Sequence, residues 1–452
     1  MITGIFSGMV MQRDKENKSL IYITTDEIIE NISCKAQNGT NFDVLYKDGV
    51  ISGIPVGGPY DLKINDALYT DIYVGDLWIL AGQSNMEGNG VLGENDFNYT
   101  PNENIRAFYM TDEWRPAKNP LHHCSIAKDL VHTEVCHAAE QRSGVGAGNA
   151  LSFALKMYEY TGVPQGLIAC AHGGTCLGHW NPAGKEVGGD KSLYGAMYRR
   201  FTANGSHIKG ILWYQGCADG EIWAEKDFTA GTTHLFNCMR KDMGNGEILP
   251  IIQCQIGRWS DEYNQEDQEH NRCWFSIRRQ QLALNDTIEN IDTVASITYR
   301  TDDHVHLTSD SQWNLGVKMA EAMVNLIDPE LARTIGAKPA MKVGKMFLQG
   351  EKVFQEYTDV VIEIENSNGD LVAEPRAMGF SLAKEPDVID NMRYPYDAYV
   401  EGNRIIVRFR MNIKDLSEYY LYYGYGCNPS CNITDENKNP VPCFGPVKIS
   451  EI

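Results

Sequence analysis

Apolar and polar positions change rhythm twice along the chain. Residues 1–75 carry short alternating or apolar runs, "SLIYITT", "FDVLYKDG" and "YDLKIND", set apart by Gly, Asn and Asp. This predicts a β-rich segment with tight turns. Beyond Gly75, apolar runs "DLWILAG", "QGLIACAHGG", "IKGILWYQG", "LPIIQCQIG" and "DTVASITY" alternate with longer stretches of helical period. The clearest helices are "GNALSFALKMYEYTG", closed by Gly162, and "SDSQWNLGVKMAEAMVNLI", for which Ser309 or Asp310 is the expected N-cap. Strands alternating with helices predict an α/β domain with a parallel sheet over residues 76–330, its functional groups gathered beyond the carboxyl ends of the strands. From about Gly336 the pattern returns to β, with Asn-Gly and Glu-Gly-Asn turns between apolar runs, so 336–452 reads as a β-rich domain.

Composition narrows the function. The 452 residues carry 60 Asp and Glu against 40 Lys and Arg, a net charge of −20, which disfavours nucleic acid and anionic membranes. No apolar run approaches the roughly 20 residues that span a bilayer. The start, "MITGIFSGMVMQRD", has no basic stretch followed by a sustained apolar one, so a cytoplasmic location is expected, or export if a leader precedes it. The 12 cysteines are scattered, with no Cys-x-x-Cys pair, and several sit among apolar neighbours. They read as free buried thiols, although Cys427, Cys431 and Cys443 could hold one bridge.

Against this background "DLWILAGQSNM" stands out, because an apolar strand runs straight into Ser84. A nucleophilic serine needs a base, an acid that orients the base, and donors for the oxyanion. In "TYRTDDHVHLTSDSQWNLG", Asp303 precedes His306 by three residues, a spacing that lets one carboxylate reach Nδ1 while Nε2 stays available. His304 directly follows Asp303, and adjacent side chains diverge, so His306 is the expected base. Candidate oxyanion donors are the Ser84 N–H, a glycine of Gly173-Gly174 with Gly174 preferred, and the Gln215 amide of "LWYQGCADG". Gln83 and Asn85, on either side of the serine, are expected at the substrate.

"GDLWILAGQSNMEG", "AHGGT…W", "ILWYQG" and the Asp-x-x-His followed by "NLGVKMA" resemble the SGNH-type carbohydrate acetylesterases, the sialate O-acetylesterases in particular. "FSGMVMQRD", "GGPYDLKIND" and "YYLYYGYGCNP…NPVPCFGP" extend the likeness into the flanks. The resemblance implies an α/β/α sandwich, a serine nucleophile, an O-acetylated sugar as substrate, and neither metal nor other cofactor. It also implies that Trp180 lines the sugar site. One departure is Cys217, where relatives commonly carry Glu; Asp219 fills the last position of that motif and is assigned to loop structure or substrate hydroxyls. Arg258, beyond "PIIQCQIG", is a candidate partner for a sugar carboxylate. Arg278 and Gln281 match an Arg-x-x-Gln pattern that fits a structural or pocket-wall role.

The expected reaction is hydrolysis of an O-acetyl ester, of sialic acid first, through an acyl-enzyme. The alternatives are an acetylxylan or other polysaccharide acetylesterase, or a carbohydrate-binding protein with a degenerate site. A metallohydrolase is a further rival, prompted by His122, His123, Cys124, His132, Cys136 and His137, but their spacing matches no standard zinc pattern, and a plain loop is preferred. Oligomeric state is not legible.

Overall fold

The computed structural model describes residues 2–134, 144–260, 267–352, 356–386 and 392–452. They form two compact units. The first comprises residues 1–215, 231–252 and 308–320, and the second 216–230, 253–307 and 321–452.

The first unit is built on a sheet whose central strand is the longest. Its strands include β1 (Val10–Gln12), β2 (Ala67–Gly82), β3 (Ile105–Phe108), β4 (Trp114–Pro116), β5 (Gln165–Ala169) and β6 (Gly210–Tyr214). The order β4-β3-β5-β2-β6 places β2 between β5 and β6, parallel to both, with β4 antiparallel at one edge. β2 changes character along its length. Its first residues are mostly exposed or half-buried and pair with the antiparallel strand Gly57–Ile64; from Ile72 to Gly82 every residue is buried. An unbroken apolar run is what a strand covered on both faces requires. Two polar contacts locate the buried part. Arg13 clasps the buried Asp76 carboxylate through Nε and Nη2 at 2.8 and 2.9 Å, and Trp78 Nε1 donates to Gln165 Oε1 at 2.7 Å.

The helix Ala150–Thr161 ends at Gly162 in the left-handed region (φ 65°), as expected. The helix Ser309–Ile327 differs from expectation at its start. Thr308 caps it: Thr308 Oγ1 accepts from the Ser311 N–H at 3.3 Å. A β-hydroxyl one position earlier captures the free N–H, so Ser309 and Asp310 already belong to the first turn.

The strand β7 (Ile251–Gln255) begins in the first unit and continues into the second, which also holds β8 (Ile291–Ala295). Gln253 Nε2 donates to Thr293 Oγ1 at 2.8 Å. The C-terminal strands of this unit include β9 (Lys342–Lys352), β10 (Glu356–Glu365), β11 (Phe380–Ala383), β12 (Asp397–Glu401), β13 (Arg404–Phe409), β14 (Tyr420–Tyr423) and β15 (Phe444–Lys448). They form antiparallel sheets β9-β10-β13-β12 and β11-β14-β15 around a core that includes Val360, Ile362, Leu382, Val407, Leu421 and Tyr423. Tyr422 and Tyr423 are buried, so part of the aromatic run of β14 is core. Every cysteine among the described residues is unbridged; Cys136 lies outside them.

Candidate active site

In the first unit, β2 delivers Ser84 through a turn that tolerates only glycine at its start. Gly82 has φ 126°, and a Cβ there would stand 2.3 Å from the Tyr214 carbonyl oxygen. The next N–H, of Gln83, donates to that same oxygen at 2.8 Å, which ties the turn to β6. Ser84 then opens a short helix, α1 (Ser84–Glu87). The first N–H groups of a helix have no partner within it, so the Ser84 amide lies where a donor is available.

Facing Ser84 is the turn that follows β5. A Cβ added to Gly173 would lie 3.4 Å from Ser84 Cβ and 2.9 Å from Glu87 Oε2, so glycine is what lets the two turns approach. The Gly173 N–H donates to Glu87 Oε2 at 2.5 Å. With the Gly173 amide engaged, Gly174 is the better placed of the two candidates. Its φ is 70°, and no atom stands within 4 Å of where its Cβ would be. Gln215 is fully buried, and its Nε2 donates to the Thr175 carbonyl at 3.1 Å, so one of its amide hydrogens steadies the same turn.

Three residues expected at the sugar serve the turn from inside. Trp180 is completely buried; its Nε1 donates to Thr175 Oγ1 at 3.2 Å and its ring packs edge-on against Trp213. It therefore presents no face to a ligand, and the expectation that it lines the sugar site is corrected. The motif placed an aromatic after the glycine turn, but the indole folds back behind that turn. Asn85 is 1% exposed, its Oδ1 and carbonyl both accepting from Gln312 Nε2, while Asn149 Nδ2 donates to the same carbonyl and to Gln312 Oε1. Gln83 is 4% exposed. These two are struts of the serine turn more than open substrate contacts. Sequence reasoning missed Glu87, Asn149, Thr175 and Gln312. Glu87 lies inside the quoted serine motif, but a partner 86 residues away left no local trace.

In the second unit, Asp303 and His306 form the expected pair within one tight loop. Thr301 and Leu307 bridge its ends, and the Asp302 N–H donates to the His306 carbonyl at 2.8 Å. Asp303 Oδ1 accepts from the Val305 and His306 amides at 2.9 and 2.8 Å, leaving Oδ2 to accept from His306 Nδ1 at 2.7 Å. A carboxylate only accepts, so the imidazole proton sits on Nδ1 and Nε2 carries the lone pair. Partial burial pushes the Asp303 carboxyl up, but the bonds from the His306 ring and from the His306 and Val305 amides outweigh it and hold it below the usual range. His304 takes no part in the pair; its ring meets Trp259 edge-on with centroids 4.6 Å apart.

The remaining candidates of this unit divide. Arg258 Nη2 donates to the Tyr299 carbonyl at 3.1 Å, which anchors the guanidinium. Asp219 is buried in the turn Cys217–Asp219, its N–H on the Gly216 carbonyl at 3.1 Å. Burial pushes the Cys217 thiol up to about 12, so it stays neutral where a carboxylate was the common residue. Arg278 is a structural clamp: fully buried, it donates to the carbonyls of Ile256, Gly257, Gly424, Gly426 and Cys427. Gln281 Oε1 accepts from the Ile256 amide at 2.9 Å. Of the histidines and cysteines that prompted a metal reading, His122, Cys124 and His132 are buried in the first unit, while Cys136 and His137 lie outside the described residues.

Comparison with known proteins gives this chemistry a family. The family described as carbohydrate esterase, sialic acid-specific acetylesterase, matches residues 74–325. A probable carbohydrate esterase of Arabidopsis thaliana is 30% identical over 267 residues, which cover 55% of this chain and 90% of that protein. The crystal structure of a carbohydrate acetylesterase from Xanthomonas citri is 18% identical and covers 98% of both chains with a TM-score of 0.69, a likeness of fold. With more than half of its length matched, the chain belongs to the sialic acid-specific acetylesterase family of carbohydrate esterases and is a carboxylic ester hydrolase.

Proposed function

We propose that the protein removes O-acetyl groups from sialic acid through an acyl-enzyme on Ser84. His306 Nε2 takes the hydroxyl proton as Oγ attacks the acetyl carbonyl. The Ser84 and Gly174 amides and the Gln215 side chain receive the developing oxyanion, each such donor contributing about 2.7–4 kcal/mol in comparable sites. His306 then returns the proton to the sugar oxygen as the C–O bond breaks, and water, activated the same way, releases acetate. Asp303 keeps the imidazole in the Nδ1–H tautomer and balances the imidazolium.

The observation that carries this reading is the Asp303–His306 bond of 2.7 Å, with the other carboxylate oxygen spent on two backbone amides. Such a loop has one orientation for the ring and leaves one nitrogen basic. The family match over 74–325 supports reading 76–330 as the hydrolase domain, with 1–75 and 336–452 as β-rich flanks. We assign Arg258 to the sialate carboxylate, since a guanidinium has five N–H donors and one goes to Tyr299.

Acetate release from O-acetylated sialic acids, acetylated xylan and a neutral chromogenic acetate tests the substrate. The sialic acids should give the highest kcat/KM, and Arg258→Ala should lower it for them while sparing the neutral acetate. A preference for xylan would transfer the assignment to polysaccharide acetates.

A further inference from the structure

A cluster of metal-binding type lies buried in the first unit, next in sequence to the glycine turn that faces Ser84 but sharing no residue with the groups assigned to ester chemistry. Cys124, His132 and His172 are buried, at 4%, 1% and 0% exposure, and one ligand atom from each lies within 4.8 Å of the other two. His132 Nδ1 and His172 Nδ1 are 3.1 Å apart. Met110 Sδ stands 3.8 Å from Cys124 Sγ, so a thioether adjoins the thiol.

The two imidazoles do not satisfy one another. If one Nδ1 donates to the other, the accepting ring must carry its proton on Nε2 and the donating ring has a bare Nε2 lone pair. Both Nε2 atoms are buried without a hydrogen-bond partner among the described residues. A buried donor left that way is costly, since it has lost its water and gained no partner. Neutral imidazole is the form that binds a cation.

We propose that Cys124, His132 and His172 bind a thiophilic d10 cation, Zn2+ or Cu+, as a structural clamp. Binding replaces the Cys124 S–H bond with a sulfur–metal bond and releases the proton to solvent; neither metal nor sulfur changes oxidation state. Metal–sulfur and metal–nitrogen bonds of about 2.3 and 2.0–2.1 Å ask the cluster to contract by on the order of 1 Å. Thiolate, thioether and imidazole select zinc or copper(I) over magnesium or calcium. Complete burial leaves no place for a reacting ester, so the ion is not a catalyst. What it would hold is the turn after β5, because His172 immediately precedes Gly173 and Gly174, and its N–H donates to the Gly82 carbonyl at 2.9 Å. The clamp would thus join the "HHCSIAKDLVH" segment to the turn that faces Ser84. Sequence spacing could not show this, because the third ligand comes from another strand exit.

Elemental analysis of the full chain, purified after growth with zinc or with copper and desalted, measures the stoichiometry. X-ray absorption at the edge of the bound metal reads its ligands. We expect one zinc or one copper per chain, a shell with a single short sulfur and at least two imidazole nitrogens, and loss of the metal in Cys124→Ser. Which ion fills the site distinguishes the two cations. If Cys124→Ser does not fold, the wild-type shell decides. Substoichiometric metal after loading with either ion overturns the proposal, as does a shell without sulfur or full loading of a folded Cys124→Ser.

Discussion

The serine turn and the Asp-His loop are assembled in opposite ways. Around Ser84 the turn's own backbone bonds are joined by constraints from far along the chain: Gly82 against Tyr214, Glu87 on Gly173, Asn85 held by Asn149 and Gln312. Around His306 the bonds that orient the ring lie within seven residues, from Thr301 to Leu307, and the aspartate supplies both the turn and the orienting oxygen. The nucleophile turn therefore depends on the packed core of its unit, whereas the base is oriented by local hydrogen bonds. Loss of one of the long-range contacts that brace the first should cost stability and activity together; damage to the second should cost mainly activity, in a chain that still folds.

The largest expected effect is that of Ser84→Ala, which should lower kcat by about five to six orders of magnitude with an unchanged unfolding midpoint. Next is Asp303→Asn, expected to cost on the order of 10⁴ in kcat by presenting the wrong imidazole tautomer. Its pH behaviour sharpens the point. A carboxyl held below its ordinary value stabilises the fold above that value, and the contribution is lost only as pH falls through the lowered one. The difference in urea midpoint between wild type and Asp303→Asn should therefore not shrink on acidification to about pH 4, where an ordinary aspartate titrates. It should shrink below.

On the serine side, Gly82→Ala should lower the urea midpoint and kcat together. Its Cβ meets a backbone oxygen that cannot step aside, and strained backbone of this kind costs on the order of 1–3 kcal/mol. Glu87→Ala should cost about tenfold to a hundredfold in kcat, the worth of a charged hydrogen bond of about 1.5–3 kcal/mol, with partial rescue by Glu87→Gln. The smallest effect belongs to Trp180→Phe. It should lose about 0.5–1.5 kcal/mol of stability with the Thr175 bond and leave KM unchanged, because the indole is buried. A raised KM would return Trp180 to the sugar.

What the sequence made legible follows the same division. Apolar runs located β2, β5, β6, β7 and β8, all but the last with glycine at one end or both, and Asp-x-x-His located a pair whose geometry is settled inside one loop. The long-range partners were hidden, because nothing near Glu87, Asn149 or Gln312 marks a contact made across the fold. Trp180 was misplaced for a related reason: its motif position was readable, while the direction of its ring was set by Thr175 and Trp213. His172 was passed over as part of a glycine turn, although it sits against His132.

The central claim, that Ser84 is the acylated residue, is tested most directly by fluorophosphonate labelling followed by peptide mapping of the full chain. One adduct, on the peptide carrying Ser84 and absent from Ser84→Ala, with acetate release lost in parallel, is the predicted result. An adduct on another residue, or a Ser84→Ala variant that still releases acetate at the wild-type rate, would contradict it.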